Sequence, residues 1–311
     1  MFAWRVLWGT GLGLVVAGVV VIAALAAAAP AHVVAQIETG QGPCSETGGF
    51  GALWVGVNGA GRLARIDPAT NTVTRSIAVG LGPCGVATGA GSVWVDGYGT
   101  SSVIRVDPVR MKVVKRIHLA DQIWDVTFGA GAVWATEPNL GYVLRINPKT
   151  NRVGRRIRIG GAASPANLRF GVGAVWVGSL NGRKVFRIDA RTNRVTSVRV
   201  GNGPRSLAVT ASAIWVSNRL SSTVSRIDPK TRKVVATIRV GNQPENAAIA
   251  ADGTVFVPNL GANTVSRIDP ATNTVIQTIP VGNTPFPAAS AFGDIWVPSS
   301  GGTDVYRLHI G

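Results

Sequence analysis

The sequence predicts an all-β fold, a seven-bladed β-propeller closed by an N-terminal strand that completes the last blade. Two observations support this prediction: one stretch of the chain recurs seven times, and the copies have nearly constant spacing. The aromatic anchors of the copies lie 40, 40, 42, 39, 41 and 40 residues apart, at Trp54, Trp94, Trp134, Trp176, Trp215, Phe256 and Trp296. A period of about 40 residues that contains only short alternating runs is typical of four-stranded units arranged radially.

The second unit shows how one blade is built. Cys84 to Thr88 is a short apolar run expected to form the inner strand, and Ser92 to Asp96 follows a glycine-rich turn as the second strand. Ser102 to Val106 is the third strand, and the Asp-Pro pair after it opens a turn because proline fixes φ and aspartate bonds to nearby backbone. Lys112 to Leu119 is the outer strand. No stretch after the first 31 residues has helical periodicity with caps.

Residues required in all seven units are assigned to the fold rather than to a ligand. Each anchor is expected to pack against the next blade, where burial of about 200 Å² of ring contributes at most about 5 kcal/mol. An arginine follows each anchor by 11 residues and is expected to form an interblade hydrogen bond or to support a turn: Arg65, Arg105, Arg145, Arg187, Arg226, Arg267 and Arg307. Function is therefore expected where the units differ.

The seventh unit contains three strands, and its fourth is expected from the N-terminal end of the chain. Residues 32–43 align without a gap on residues 274–285, the outer strand and loop of the sixth unit. Pairing of this segment with the seventh blade would join the first blade to the last and remove an exposed strand edge.

Residues 1–31 are expected to be a signal peptide or a membrane anchor, and residues 32–311 the propeller. Arg5 precedes an apolar run from Val6 to Ala29, and Ala29-Pro30-Ala31 fits the small-x-small cleavage rule. The run of about 24 residues is also long enough to span a bilayer if it stays uncut. Both alternatives place the propeller outside the cytoplasm, either secreted or periplasmic, or anchored to the membrane.

Cys44 and Cys84 are the only cysteines, and they occupy the same position in adjacent units. In a sevenfold ring with inner strands at a radius of about 7–8 Å, such positions lie roughly 6–7 Å apart, at the upper limit for a disulfide. An oxidising compartment favours a structural disulfide. Two free thiols, or a metal or redox role, are the alternatives.

The position of these cysteines is expected to face the central channel near one end, and it varies among the units. The loops after the second strands are expected to add a second ring of polar groups. Together they give these ligand-binding candidates: Trp124, Glu137, Arg205, Asn218, Glu245, Asn259 and Phe286. A small polar or glycan-like ligand would stack on the two aromatic rings. The alternative is that Arg205 pairs with Glu245 and the aromatic rings fill the channel.

The positive charge is concentrated in the middle of the chain. The net charge is +16, and residues 105–239 hold 25 Lys/Arg against 6 Asp/Glu. A basic arc is expected on successive blades, formed by Arg116, Arg158, Arg199 and Arg239. It suits an anionic membrane or a cell-wall surface, and a solvated arginine-rich face is the alternative. Nucleic acid is not expected, because of the compartment and because no aromatic groove accompanies the charge.

Four sequence motifs carry a family resemblance: Val-Thr-Arg-Ser-Ile-Ala-Val-Gly at 73–80, Gly-Pro at 82–83, Ser-Val-Trp-Val at 92–95 and Ser-Arg-Ile-Asp-Pro-Ala-Thr-Asn-Thr-Val at 266–275. Through them, residues 32–311 resemble the YVTN-type β-propeller repeat family. More distantly, the chain is similar to the streptogramin B lyases, which share the sevenfold propeller. That similarity would imply opening of a cyclic depsipeptide by elimination, with a His, Glu residues and a magnesium ion at the channel mouth.

The residues available for such chemistry are few. Alignment places His32, His118 and His309 away from the channel, and Glu137 with Glu245 makes a poor magnesium site. No Gly-x-Ser-x-Gly, His-Glu-x-x-His or phosphate-binding motif is present. The sequence therefore favours a monomeric, non-catalytic extracytoplasmic scaffold without metal or cofactor that binds a protein or small-molecule ligand. A streptogramin lyase-like enzyme, which alone would need magnesium, and a ligand-sensing or assembly subunit are the alternatives.

Overall fold

The computed structural model describes residues 29–160 and 164–311, and it confirms the all-β, seven-bladed propeller. Seven four-stranded antiparallel sheets form a ring. The strands are β1 (His32–Glu38), β2 (Pro43–Gly49), β3 (Ala52–Val57), β4 (Arg62–Asp67), β5 (Thr72–Ala78), β6 (Val86–Gly89), β7 (Ser92–Gly97), β8 (Ser102–Asp107), β9 (Lys112–His118), β10 (Val126–Gly129), β11 (Ala132–Glu137), β12 (Tyr142–Asn147), β13 (Arg152–Arg158), β14 (Pro165–Gly171), β15 (Ala174–Ser179), β16 (Lys184–Asp189), β17 (Val195–Arg199), β18 (Pro204–Val209), β19 (Ile214–Asn218), β20 (Thr223–Asp228), β21 (Lys233–Arg239), β22 (Ala248–Ile249), β23 (Val255–Asn259), β24 (Thr264–Asp269), β25 (Thr274–Pro280), β26 (Ala289–Ala291), β27 (Asp294–Pro298) and β28 (Asp304–His309).

Each blade runs from an inner strand at the channel to an outer strand at the rim. Blade 1 contains β2 to β5, and the next five blades follow in the same order up to β25. Blade 7 contains β26, β27 and β28, and β1 pairs antiparallel with β28 in the outer position. In this pairing His32 lies opposite His309, and Glu38 lies opposite Asp304.

The residues just before β1 contact blade 6. The Gln277 side chain donates to the Ala31 carbonyl at 2.7 Å and accepts from the Ala31 amide at 3.0 Å. Arg267 donates to the Ala29 carbonyl at 2.7 Å. The described residues contain no helix long and apolar enough to cross a bilayer, and the expected leader, residues 1–31, falls almost wholly outside them.

The aromatic anchors are buried between blades. Trp54 of blade 1 packs with Val93 and Val95 of blade 2, and Trp296 of blade 7 packs with Leu53 of blade 1. Seven hydrophobic clusters of this kind, one at each blade interface, extend around the ring. Because a blade cannot cover its own apolar face, each anchor contributes to the interface with the next blade.

Four of the seven repeated arginines bond the bottom turn of the next blade, whereas Arg65 and Arg187 bond Thr74 and Asp189 of their own blades. Arg307 of blade 7 donates to the Pro68 carbonyl and to Asn71 Oδ1 of blade 1, at 2.6 and 2.8 Å. Its guanidinium also lies 4.9 Å from the ring centre of Trp296, a cation–π contact. Arg105, Arg145 and Arg226 bond the next blade in the same way. In blade 6, Arg267 reaches the Ala29 carbonyl instead of a turn.

Candidate functional site

A cavity of about 310 Å³ lies on the channel axis at the end where the inner strands begin; it is hereafter the upper cavity. Three of the predicted site residues line it: Trp124, Arg205 and Phe286. Cys44 and Cys84 also line it, and they are joined by a disulfide bond with their Cα atoms 5.0 Å apart. The inner-strand position that differs most among the units therefore faces the channel.

Arg205 lies at the centre of a compact cluster. Its guanidinium is 5.3 Å from the ring centre of Trp124 and 5.0 Å from that of Phe286, so it lies against both aromatic rings. Its Nη1 donates to Glu245 Oε1 at 3.2 Å. The Arg205–Glu245 pair, which the sequence offered as an alternative to ligand binding, is thus present. The rings of Trp124 and Phe286 stack on the guanidinium group of Arg205.

Glu245 is fully buried beneath this cluster. Arg219 donates to its Oε1 at 2.6 Å, and Ser206 donates to its Oε2 at 3.3 Å. Burial raises the pKa of Glu245 to about 7, against the lowering effect of Arg219 and of the Ser206 hydrogen bond. Both carboxylate oxygens already have partners within the protein, so this side chain supports Arg205 rather than offering free oxygens to a ligand.

The three other candidates lie outside the cavity lining. Asn218 Nδ2 donates to Thr223 and Ser225 of the next strand of its own blade, and Asn259 makes the equivalent bonds in blade 6. Glu137 accepts from Arg156 on the outer strand of blade 3 at 2.8 Å. Successive side chains of a strand face opposite sides of the sheet, and these residues occupy the side that faces away from the upper cavity.

Two carboxylates that sequence reasoning missed also line the upper cavity. Asp96 is fully buried at the end of β7, and its Oδ1 accepts from the Cys84 amide at 2.6 Å, whereas its Oδ2 has no hydrogen-bond partner among the described residues. A Cβ atom at Gly85 would lie 2.5 Å from Asp125 Oδ1 and 2.9 Å from Asp96 Oδ2, so only glycine fits between them. Burial, reinforced by the charge of Asp125, raises the pKa of Asp96 well above its ordinary value.

A further aromatic residue and an ion pair lie near the axis. Tyr98 meets Trp124 edge to face with ring centres 5.9 Å apart. Asp125 Oδ2 accepts from Arg169 at 2.7 Å. Asp125 lines the upper cavity, whereas Arg169 lines a second cavity of about 370 Å³ further along the axis, hereafter the lower cavity. Residues from all seven blades line the lower cavity.

Three of the four arginines of the predicted basic arc occupy one row. Arg158, Arg199 and Arg239 are exposed, and each pairs with the first residue of the neighbouring third strand. In blade 5 a continuous row of paired residues leads from Pro204 at the inner strand to Arg239 at the rim. The row therefore lies on the same face of the ring as the upper cavity. Arg116 differs: it is half-buried and donates to the Val79 carbonyl.

The residues present do not fit the magnesium ion that a lyase-like activity would need. The described residues contain no group of three or more His, Cys, Asp or Glu placed to hold a metal ion. Glu245 is bonded to Arg205, Arg219 and Ser206, and Glu137 is bonded to Arg156 in another part of the ring. His32 and His309 lie together on the two outermost strands of blade 7, with ring centres 6.0 Å apart.

Comparison with known proteins agrees with the fold. A repeat family described as "Repeat of unknown function (DUF6923)" matches residues 86–219, and it does not confirm the YVTN-type resemblance. No curated protein matches the chain. A solved streptogramin B lyase superposes with a TM-score of 0.80 at 14% identity, over 90% of this chain and 98% of that one.

Two further solved structures are similar. Virginiamycin B lyase from Staphylococcus aureus superposes with a TM-score of 0.80 at 16% identity, over 91% of this chain and 100% of that one. The WD40 propeller domain of Doa1 superposes with a TM-score of 0.74 at 13% identity, over 91% of this chain and 98% of that one. At these identities the likeness establishes a shared seven-bladed propeller architecture and leaves the activity of this chain to be argued from its own residues.

Proposed function

We propose that this protein is a non-catalytic, extracytoplasmic propeller that binds an acidic, hydroxyl-rich glycan across its upper face. The observation that carries the proposal is the upper cavity itself, where aromatic rings and buried carboxylates converge on one opening. Aromatic faces pack against the apolar face of a sugar ring, and carboxylate oxygens accept hydrogen bonds from its hydroxyl groups. The upper cavity is large enough for a single small unit of such a chain.

The arrangement within the cavity decides which residues contact the sugar. Arg205 occupies one face of Trp124 and of Phe286, so the sugar stacks on the part of Trp124 that is left half-exposed, beside Tyr98. Asp96 lines the cavity, and its buried Oδ2 would gain a hydrogen bond from a sugar hydroxyl that enters far enough to reach it. Arg205 and Glu245 hold the rings in place.

The basic arc extends this surface. Arg158, Arg199 and Arg239 lie at the rim of the same face, at one equivalent position on three successive blades. Acidic groups of a polymer whose sugar unit occupies the upper cavity would meet these guanidinium groups. An anionic membrane would use the same arc without the cavity, so the two partners can be told apart.

The disulfide and the sequence before it support the proposed compartment. A Cys44–Cys84 disulfide is typical of proteins that fold in an oxidising environment. The apolar run from Val6 to Ala29 is long enough for a signal peptide or an anchor. Mass spectrometry of the protein recovered from its native host, with the N-terminal peptide identified, tests both the export and the cleavage.

Binding of the glycan is tested by isothermal titration with neutral and acidic oligosaccharides. Trp124→Ala and Asp96→Asn should each weaken binding by about tenfold or more, because each removes a contact made at a buried surface. Phe50→Ala is the matched control, since Phe50 is an exposed aromatic residue in the turn between β2 and β3, outside the upper cavity. Equal affinity in all three variants, or no saturable binding to any oligosaccharide, would refute the proposal.

The contribution of the arc is tested by charge-matched triple variants. Changing Arg158, Arg199 and Arg239 to Gln should weaken binding of the acidic oligosaccharide and reduce its salt dependence. The control changes three other exposed arginines near the opposite ends of outer strands: Arg152, Arg191 and Arg194. Binding to anionic vesicles that is lost in the arc variant and kept in Trp124→Ala would indicate a membrane rather than a glycan.

The lyase-like alternative is tested directly. One of the similar solved structures is a catalytically inactive virginiamycin B lyase with quinupristin. Because elimination opens a ring without change of mass, the readout is the chromatographic retention of quinupristin incubated with this protein. We expect unchanged retention, since His32, His118 and His309 lie on the third or outer strands of their blades and outside both cavities. A shifted peak that depends on protein concentration would refute the non-catalytic proposal.

A further inference from the structure

Glu46 breaks the repeat at the lower cavity. The equivalent position of the other six blades is apolar: Val86, Val126, Leu168, Leu207, Ala247 and Ala288. Glu46 is 5% exposed and lines the lower cavity; both of its carboxylate oxygens are buried, and neither accepts a hydrogen bond from a described residue. The Ala289 amide approaches the carboxylate without reaching hydrogen-bond geometry. A buried carboxylate without a partner destabilises the fold, so the propeller itself does not explain this residue.

Arg169 breaks the repeat at the next position along the inner strand. The other six blades have Thr or Ala there: Thr47, Ala87, Thr127, Ala208, Ala248 and Ala289. Its Nη1 donates to Asp125 and to the Leu168 carbonyl, both at 2.7 Å. The side chain is 25% exposed, and no described residue bonds its Nε or Nη2. Part of the guanidinium is therefore free to bind a ligand.

The two charges act on each other without a direct hydrogen bond. Burial raises the pKa of Glu46 well above its ordinary value, and the charge of Arg169 opposes that rise. Both side chains line the same cavity of about 370 Å³. A ligand that joins them must therefore carry a positive group for Glu46 and a negative group for Arg169.

Other ligand classes fit less well. A bare metal ion would find a single carboxylate, since the described residues contain no metal-binding group. A simple anion would leave Glu46 without a partner, and a simple cation would be repelled by Arg169. Phe128, Phe170 and Val209 are half-buried around the same cavity and provide an apolar wall. The wall suits an apolar substituent on the ligand.

We propose that the lower cavity binds a free α-amino acid with an apolar side chain, its ammonium group on Glu46 and its carboxylate on Arg169. The ammonium group then pairs with a carboxyl group that has no partner among the described residues, and the ligand carboxylate binds the Nε and Nη2 side of Arg169 that Asp125 does not occupy. The apolar side chain contacts Phe128 and Phe170. This site is separate from the glycan site, because the two cavities share no lining residue.

The experiment is isothermal titration of the whole propeller with L-phenylalanine and two analogues. N-acetyl-L-phenylalanine lacks the ammonium group, and L-phenylalaninamide lacks the carboxylate. We expect saturable binding of the amino acid and at least about tenfold weaker binding of each analogue, the effect of removing one charged hydrogen bond at a buried site. Titration in two buffers of different ionisation enthalpy should show a proton released as the ammonium group binds Glu46.

Three variants make the result specific. Glu46→Gln should weaken binding at least about tenfold, and its melting temperature should be no lower than that of the parent, because it removes a buried unpartnered carboxylate. Glu38→Gln, which removes an equal charge from the exposed face of β1, should bind normally. Trp124→Ala should also bind normally, so failure of the glycan site and of this site can be distinguished. Binding of all three compounds alike, equal affinity of the two glutamate variants, or no saturable binding would overturn the proposal.

Discussion

The disulfide between Cys44 and Cys84 provides a quantitative test of how blades 1 and 2 are held together. The two residues are separated by 40 positions in the chain, and both lie at the channel ends of their blades. A cross-link stabilises a protein chiefly by restricting its unfolded chain, and a loop of this length corresponds to about 4 kcal/mol. A domain of about 280 residues unfolds with an entropy of roughly 0.6 kcal/mol per kelvin, so loss of the bond should lower Tm by about 7 °C.

The assay compares melting curves of the parent protein with and without a reductant, followed by circular dichroism. The double variant Cys44→Ala, Cys84→Ala serves as the control, because it should melt at the lower temperature and not respond to the reductant. Mass spectrometry of the unreduced protein after alkylation counts the free thiols. A parent protein whose thiols are both alkylated before reduction, or whose Tm does not change on reduction, would refute the reasoning.

Three further perturbations have expected outcomes. Trp134→Ala should lower the free energy of unfolding by about 3–5 kcal/mol, measured by denaturant titration, because it leaves a cavity between blades 3 and 4; a loss below about 1 kcal/mol would contradict interblade packing. Burial raises the pKa of Glu245 from 4.5 to about 7. Between these two pH values the folded protein holds a proton that the unfolded chain has lost, so the free energy of unfolding should fall as the pH rises from 4.5 to about 7. Glu245→Gln should flatten this slope, and an identical pH profile in the variant would contradict it. Deleting residues 32–40 should lower the thermal midpoint sharply. A chain that starts at His32 should lose less, because only the contacts of Gln277 and Arg267 with residues 29–31 are removed. An unchanged midpoint after deletion of residues 32–40 would exclude closure by β1.

The repeat made most of the architecture predictable. A tryptophan at a fixed spacing identifies the interface between blades, because only an element needed by every unit recurs in every unit. The same spacing placed the strands of the second unit within a residue or two of β7, β8 and β9. The alignment of residues 32–43 on the sixth unit gave the register of β1, which has the same bounds relative to its unit as β25.

The site was only partly predictable because alignment does not determine which side of a strand faces the channel. The sequence predicts Trp124, Arg205 and Phe286 correctly as channel residues because they share one variable position at or just before the inner strands. Asn218 and Asn259 were assigned to the mouth, yet they point into their own blades. One available signal was missed: Asp96 is the only acid two residues after an anchor, where the other units have Gly, Thr, Ser or Pro.

The distribution of charge supports a function located on the axis. The protein has a net charge of +16, yet four of its acids, Glu46, Asp96, Asp125 and Glu245, are buried around the channel, each the only acid at its position in the repeat. The other blades fill those positions with neutral residues in all but one case, Arg205, so the fold does not require carboxylates there. Burial of an ionised group is unfavourable unless it is fully paired, and Glu46 and Asp96 keep unpartnered oxygens. The carboxyl groups of Glu46 and Asp96 destabilise the protein without a ligand, and the fold does not need them. Their presence is explained if ligands on the channel axis supply the missing hydrogen-bond donors.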